Sequence, residues 1–290
     1  MEPPVTAVNS LAEQFKDVKE RIHAAAKLTG RTGKDILLVA VSKYAGMDEV
    51  RELIAMGQRD FAENQVQQLQ QRAAMITEWQ QRQRGLAAAI KSSSSGGAVS
   101  DDTTVRWHMI GHLQRNKVRK AAELARLIHS VDSLRVAEEL QAAAMRMDRT
   151  IDVLIQVNAS GEGTKFGVLL PAAIHLAEQM DSMVNLRVRG LMTMAPHDDS
   201  SPTEARLTFS RTRELFEEMK RIGVVGPAFN ILSMGMTGDY EIAISEGANL
   251  VRVGSGIFGH TAPQSGDDSS EDDADRAQND PDQADDDPLA

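Results

Sequence analysis

The sequence predicts a (β/α)8 barrel, the TIM barrel, with one extra helix in front of it. Eight short apolar runs alternate with stretches of helical period over about 220 residues. The strongest run, Leu37–Tyr44 (LLVAVSKY), is unbroken and rich in valine, as a strand buried on both faces must be. Nearly every run stops at a polar residue, where the carboxyl end of a barrel strand opens to a mouth. A doubly wound open sheet satisfies the same alternation, since alternation does not establish closure.

Ser10–Gly30 reads as the extra helix. Leu11, Phe15, Val18, Ile22 and Ala25 make one apolar stripe, Ser10 with Glu13 gives a capping box, and Gly30 suits the C-cap. Being in front of the first strand, it is expected across the outside or one end of the main body. Beyond Lys43, Val50, Leu53 and Ile54 mark a helix ending at Gly57. Arg59–Glu63 is a short strand and Gln65–Gln83 a polar helix. Val105–Ile110 is a strand, Arg115–Ala125 a helix, Leu127–Val131 a strand, and Ser133–Met147 a helix capped by Ser133. Ile151–Val157 is a clear buried strand, and Pro171 opens a helix reaching about Met180. Leu186–Met194 is a strand and Glu204–Arg221 a helix with Phe209, Phe216 and Met219 on one side. Asn230–Met234 is a strand, Asp239–Glu246 a short helix, and Leu250–Val253 the last strand.

Two segments lie outside this alternation. Residues 80–104 contain SSSSGG and few large apolar side chains, the composition of a flexible insertion. The stretch 263–290 holds eleven Asp and Glu against one Arg and has almost nothing to bury, so it reads as a disordered acidic tail. It carries the whole net charge of −10. The preceding 262 residues hold 31 basic and 31 acidic side chains, which gives no basic face for nucleic acid. Residues 1–262 are therefore expected to form a single domain. Cysteine is absent, which excludes disulfides, thiolate metal sites and a cysteine nucleophile, and fits a reducing cytoplasm. The opening MEPPVTAVNS has no secretory pattern, and no apolar run approaches the roughly 20 residues of a membrane span.

In a barrel the strand ends converge, and here they are Lys43, Glu63–Asn64, His108, Asp132, Asn158, Met194, Ser233 and Arg252. The loop Ser233-Met-Gly-Met-Thr237-Gly-Asp239 enters a helix, so its amides and hydroxyls suit an anion. Arg252-Val-Gly254-Ser255-Gly256 follows on the next strand, with glycines that let backbone approach a ligand. Loops after the seventh and eighth strands are the usual phosphate position of these barrels. A lysine facing a phosphate cradle suits an aldehyde held at both ends, and pyridoxal phosphate has that form. Met192, Met194, Met234 and Met236 read as pocket lining or core. His108 and His112 lack the helical spacing of a metal pair, so no metal is expected.

VAVSK, AEN, WHMIGHLQRNK, TKFGV, RGLMTM and SMGMTGDYEIAISEGANLVRVGSGIFG stand in the order seen in the pyridoxal phosphate homeostasis proteins (YggS/PROSC type), and the chain resembles that family over about 11–260. The resemblance implies the barrel of the fold-type III enzymes, such as alanine racemase, without their second β domain. It makes Lys43 the aldimine lysine, sets Arg252 at the pyridine nitrogen, and gives the phosphate to Ser233, Thr237, Gly254 and Ser255. Asn64 and His108 match positions around the ring. In Thr164-Lys165-Phe166-Gly167, a Phe stands where a small polar residue is commoner, which leaves a role for Lys165 open.

An arginine beside the pyridine nitrogen disfavours its protonation and weakens the ring as an electron sink. Tyr44 and Tyr240 are the only tyrosines, and Tyr44 follows the lysine too directly to be an opposite-face base. The expectation is a cytoplasmic, monomeric protein with no catalytic residue. It holds pyridoxal 5'-phosphate and supplies or buffers it, with apo forms of enzymes that use the cofactor as recipients. The alternatives are a racemase-like enzyme on the same cofactor and a cofactor-free Schiff-base aldolase.

Overall fold

In the computed structural model the eight expected strands close into a ring. Residues 10–91, 104–161, 166–196 and 201–259 are described, with side chains of the first stretch as far as Gly85. The chain divides into two units, 1–260 and 261–290, and every described residue belongs to the first. The acidic stretch 263–290 thus lies outside the described residues, as does Lys165.

The strands are β1 (Leu37–Val41), β2 (Asp60–Glu63), β3 (Arg106–Met109), β4 (Ala125–Val131), β5 (Ile151–Asn158), β6 (Val168–Leu169), β7 (Leu186–Met192), β8 (Ile231–Ser233) and β9 (Leu250–Val253). All pairings are parallel, in the order β4-β3-β2-β1-β9-β8-β7-β5, and a further β4–β5 pairing closes the barrel. The open-sheet alternative is thereby excluded. The two-residue β6, not foreseen from the sequence, pairs with the end of β5 outside the ring.

Nine helices accompany the strands among the described residues: α1 (Leu11–Leu28), α2 (Met47–Ala55), α3 (Val66–Lys91), α4 (Val118–Leu124), α5 (Leu134–Arg146), α6 (Leu170–Asp181), α7 (Pro202–Ile222), α8 (Tyr240–Ser245) and α9 (Ser255–Phe258). In α1 the stripe of Phe15, Val18, Ile22 and Ala25 is buried, and Ser10 and Glu13 form the reciprocal cap. This helix packs on α8 and α9, where Arg21 holds Glu241 through two bonds of 3.1 and 2.8 Å. One boundary needs correction. Helix α3 runs to Lys91, so 80–91 of the expected insertion are helical, and 92–103 lie outside the described residues. The Ala-rich GLAAAIK has enough helix propensity to continue the turn despite its few large side chains.

Two apolar layers follow from strand alternation. Ala40, Phe61, Met109, Ile128, Val131, Val251 and Val253 face the helices. Val39, Ala62, Leu127, Leu154, Met192 and Leu250 fill the barrel interior, with Val41, Ile110, Met194 and Ile231 packed against them. No helix among the described residues is long and apolar enough to cross a membrane.

Candidate functional site

The eight candidate binding residues, Lys43, Asn64, His108, Ser233, Thr237, Arg252, Gly254 and Ser255, lie on or just beyond β8, β9, β1, β2 and β3, five strands consecutive in the ring. In the sequence they are split between its two ends. Closure brings β9 beside β1, with Val39 opposite Arg252, so the lysine strand and the glycine loops become neighbours. A Cβ on Gly254 would lie 3.2 Å from the Val41 carbonyl oxygen.

Lys43 is half-buried in the turn after β1, its Nζ 4.5 Å from the centre of the Tyr44 ring. The turn is pinned from the outer side of the wall. The Ser42 hydroxyl donates to Glu63 Oε1 at 2.5 Å, and Arg72 of α3 pairs with the same oxygen at 2.9 Å. Arg72 also donates to the Ala45 carbonyl at 2.8 Å. Burial pushes the Glu63 carboxyl up, against the opposing pull of Ser42, Arg72 and Lys43.

Asn64 follows β2, and its Oδ1 is buried with no hydrogen-bond partner among the described residues. Gly111 is required beside it, because a Cβ there would fall 1.9 Å from the Asn64 carbonyl oxygen. On the other flank the two glycine loops are tied together. Thr237 Oγ1 lies 3.1 Å from Ser255 Oγ and accepts from the Gly256 amide at 3.1 Å. Gly235, at φ +92°, folds its loop back so closely that a Cβ would meet Tyr240 Cα at 2.7 Å.

Ser233, expected among the phosphate groups, is placed differently. Its hydroxyl is buried inside the barrel, accepting from Arg252 Nη1 at 2.6 Å and lying 3.1 Å from His129 Nδ1. His108, expected around the ring, is likewise an interior residue. Its Nδ1 is 2.9 Å from His129 Nε2, and its Nε2 is 3.1 Å from Asp60 Oδ1. Arg106 grips Asp60 from the amino-terminal end, at 2.9 and 2.7 Å. One hydrogen-bonded chain thus crosses the interior from Arg106 to Arg252, which ends it by donating Nη2 to the Thr193 carbonyl at 3.0 Å. Arg252 Nε makes no hydrogen bond among the described residues.

The electrostatics follow from this burial. Burial alone would raise Asp60, but Arg106 and His108 outweigh it and bring the carboxyl down to about 2. Burial takes Arg252 down to about 10. His129 is held well below the ordinary imidazole value by burial, then by His108 and Arg252.

His129, Asp60 and Thr193 are not among the candidates that the sequence offers. The available signal was a polar side chain set within an apolar strand, as in Leu127-Ile-His129-Ser-Val131. Phe166 also gains an explanation, since it stacks on His112 at 4.1 Å and 16°, and His112 in turn meets Asp132 at 3.2 Å. Asn158 closes a local turn by accepting from Ser160 and the Gly161 amide. Met192 and Met234 are core residues. Among the described residues no three metal-ligating side chains converge.

Comparison with known proteins places this geometry. The family model of the alanine racemase N-terminal domain matches residues 15–262. The chain is 34% identical to the pyridoxal phosphate homeostasis protein of Pseudomonas aeruginosa over 252 residues, covering 87% of this chain and 96% of that one. It is 35% identical to the protein of the same name from Aquifex aeolicus, covering 85% and 96%. Among solved structures, PipY of Synechococcus elongatus with PLP bound superposes with TM-score 0.66 at 30% identity, covering 83% of this chain and 99% of that one. Alanine racemase of Clostridium difficile shares the fold, with TM-score 0.63 at 14% identity, over 88% of this chain and 60% of the racemase.

Proposed function

The chain belongs to the pyridoxal phosphate homeostasis protein family, and from that premise we propose that its barrel mouth binds pyridoxal 5'-phosphate, keeps it attached to Lys43 and gives it up to enzymes that need it. The observation that carries this reading is the convergence of a half-buried amine, an unsatisfied buried acceptor and two joined hydroxyl loops on consecutive strands. The cofactor supplies an aldehyde that condenses with a primary amine and a ring that can draw electrons from what is attached.

The residues fit that group part by part. Lys43 Nζ is the primary amine, held over Tyr44. Asn64 Oδ1 needs a donor, and a phenolic hydroxyl provides one. The Thr237 and Ser255 hydroxyls and the backbone at Gly254 and Ser255 suit a phosphate, the Gly256 amide being given to Thr237. A Cβ at Gly256 would press Thr237 Cγ2 at 3.0 Å and crowd that cradle. Arg252 Nε remains as a donor for the ring nitrogen. Ser233 serves through Arg252 rather than at the phosphate.

The same set argues for a carrier. A guanidinium at the ring nitrogen keeps that nitrogen unprotonated and the ring a poor electron sink. Neither tyrosine supplies a second acid or base across from the lysine. Tyr44 lies under Lys43, and Tyr240 is buried beneath Arg21 of α1, its phenol pushed up to about 12 by burial.

The test is to titrate the purified protein with the cofactor, then mix the loaded protein with an apo enzyme that requires it. Visible absorbance should appear at one equivalent and fall as the recipient gains activity. A protein that takes up no cofactor, or that turns over amino acids at ordinary enzyme rates, overturns the reading.

A further inference from the structure

We propose that His129, His108 and Asp60 are positioning residues for Arg252, acting through the Ser233 hydroxyl; the inference rests on the reading of Arg252 as the partner of the cofactor's nitrogen. The contacts allow one arrangement in which every group of the chain is satisfied. Asp60 is ionised and only accepts, so His108 carries its proton on Nε2, facing Oδ1 at 3.1 Å. His108 Nδ1 then accepts, and the proton between the two rings sits on His129 Nε2, 2.9 Å away. His129 Nδ1 is left as an acceptor, so the Ser233 hydroxyl turns its hydrogen toward it across 3.1 Å. That rotation aims the oxygen lone pairs at Arg252 Nη1, 2.6 Å away.

An additional proton, on His129 Nδ1, would break this order at its Ser233 end. His129 and Arg252 would both donate to Ser233, and the hydroxyl hydrogen would lose its acceptor in the chain. A buried donor left unmatched opposes that state, and full burial of His129 already favours its neutral form.

The hydroxyl rotates about its C–O bond, and with its hydrogen on His129 Nδ1 it is satisfied as a donor while presenting lone pairs to the guanidinium. Asp60 sets that orientation, on a strand remote in sequence and anchored by Arg106 at the opposite end of the barrel. With Nη1 and Nη2 fixed on Ser233 and Thr193, the guanidinium plane is fixed and Nε faces one direction.

Nitrogen-15 NMR of the histidine rings in the cofactor-free protein reads the tautomers without ligand. Both His108 and His129 should carry hydrogen on Nε2; hydrogen on His129 Nδ1 overturns the proposal. Titration with pyridoxal phosphate then compares two variants. His129→Leu should raise the dissociation constant about tenfold, the effect of one lost buried hydrogen bond. His129→Gln should recover most of that, because its carbonyl accepts from Ser233 and its amide donates to His108. Unchanged affinity in His129→Leu, or equal weakening in both variants, overturns the proposal. Should His129→Leu not fold, Ser233→Ala takes its place with the same expected loss. Should the unmodified protein bind no cofactor, the proposed function falls, and the ring tautomers alone decide whether the chain is ordered in this sense.

Discussion

Ser42 and Glu63 meet across the β1–β2 junction at 2.5 Å, one residue before the lysine and at the last position of the neighbouring strand. The contact is buried on the helix side of the wall, where Arg72 completes it. A site residue is thus held by a cluster that does not face the site.

Glu63→Gln keeps an acceptor for Ser42 but leaves the Arg72 guanidinium without its counter-charge. Breaking a buried pair costs roughly 3 kcal/mol, so urea unfolding should show a loss of that order, with cofactor uptake slowed as the Lys43 turn loosens. A loss below about 0.5 kcal/mol, typical of surface changes, would mean that the clamp does not hold the turn.

Lys43 should be the only point of covalent attachment. Borohydride treatment of the loaded protein followed by peptide mass mapping is expected to find the pyridoxyl group there, and Lys43→Ala should remove the visible band. An adduct on Lys117 or Lys165 in place of Lys43 would refute the assignment.

The pH dependence of stability should show the Asp60 chain. Its folded value of about 2 lies below the ordinary 3.8, so the folded state binds that proton more weakly than the unfolded one. Its stabilisation, about 2 kcal/mol, is complete above the ordinary value and is lost as pH falls toward 2. The stability difference between the unmodified protein and Asp60→Asn should therefore shrink between pH 4 and pH 2. A difference that stays constant over that interval would show that the carboxylate is not held down by Arg106 and His108.

Arg252→Glu separates binding from chemistry. The new carboxylate would face the Thr193 carbonyl that the guanidinium now bonds, so the cofactor should bind at least tenfold less tightly, as when buried charged partners are lost. A carboxylate also favours the protonated ring nitrogen, so deuterium uptake into the α-position of alanine, followed by NMR, should rise above the near-zero level of the unmodified protein. Rapid uptake by the unmodified protein that disappears in Lys43→Ala would make it an enzyme.

The sequence by itself determined the eight strands, the helices between them and the polar residues at the strand ends, because each follows from local periodicity and capping. Lys43, Asn64, Thr237, Gly254 and Ser255 stand out as candidates in the sequence because they lie just past apolar runs or in glycine loops. The resemblance to a family gave those positions their chemistry. Tertiary structure alone decided what lies inside the barrel. In β4 the register with β5 shifts between Ile128 and Val131, and that with β3 shifts at Trp107/His108. Leu127 faces inward, whereas Ile128 and Val131 both face the helices. Strict alternation would put them on opposite faces. The extra residue re-aims the strand around His129, and a bulge has no signature in hydrophobic period. Closure between β4 and β5, the placing of β9 beside β1, and the commitment of Ser233 to Arg252 are likewise pairings between distant residues. Their free energy comes from contacts that exist only once the ring is complete.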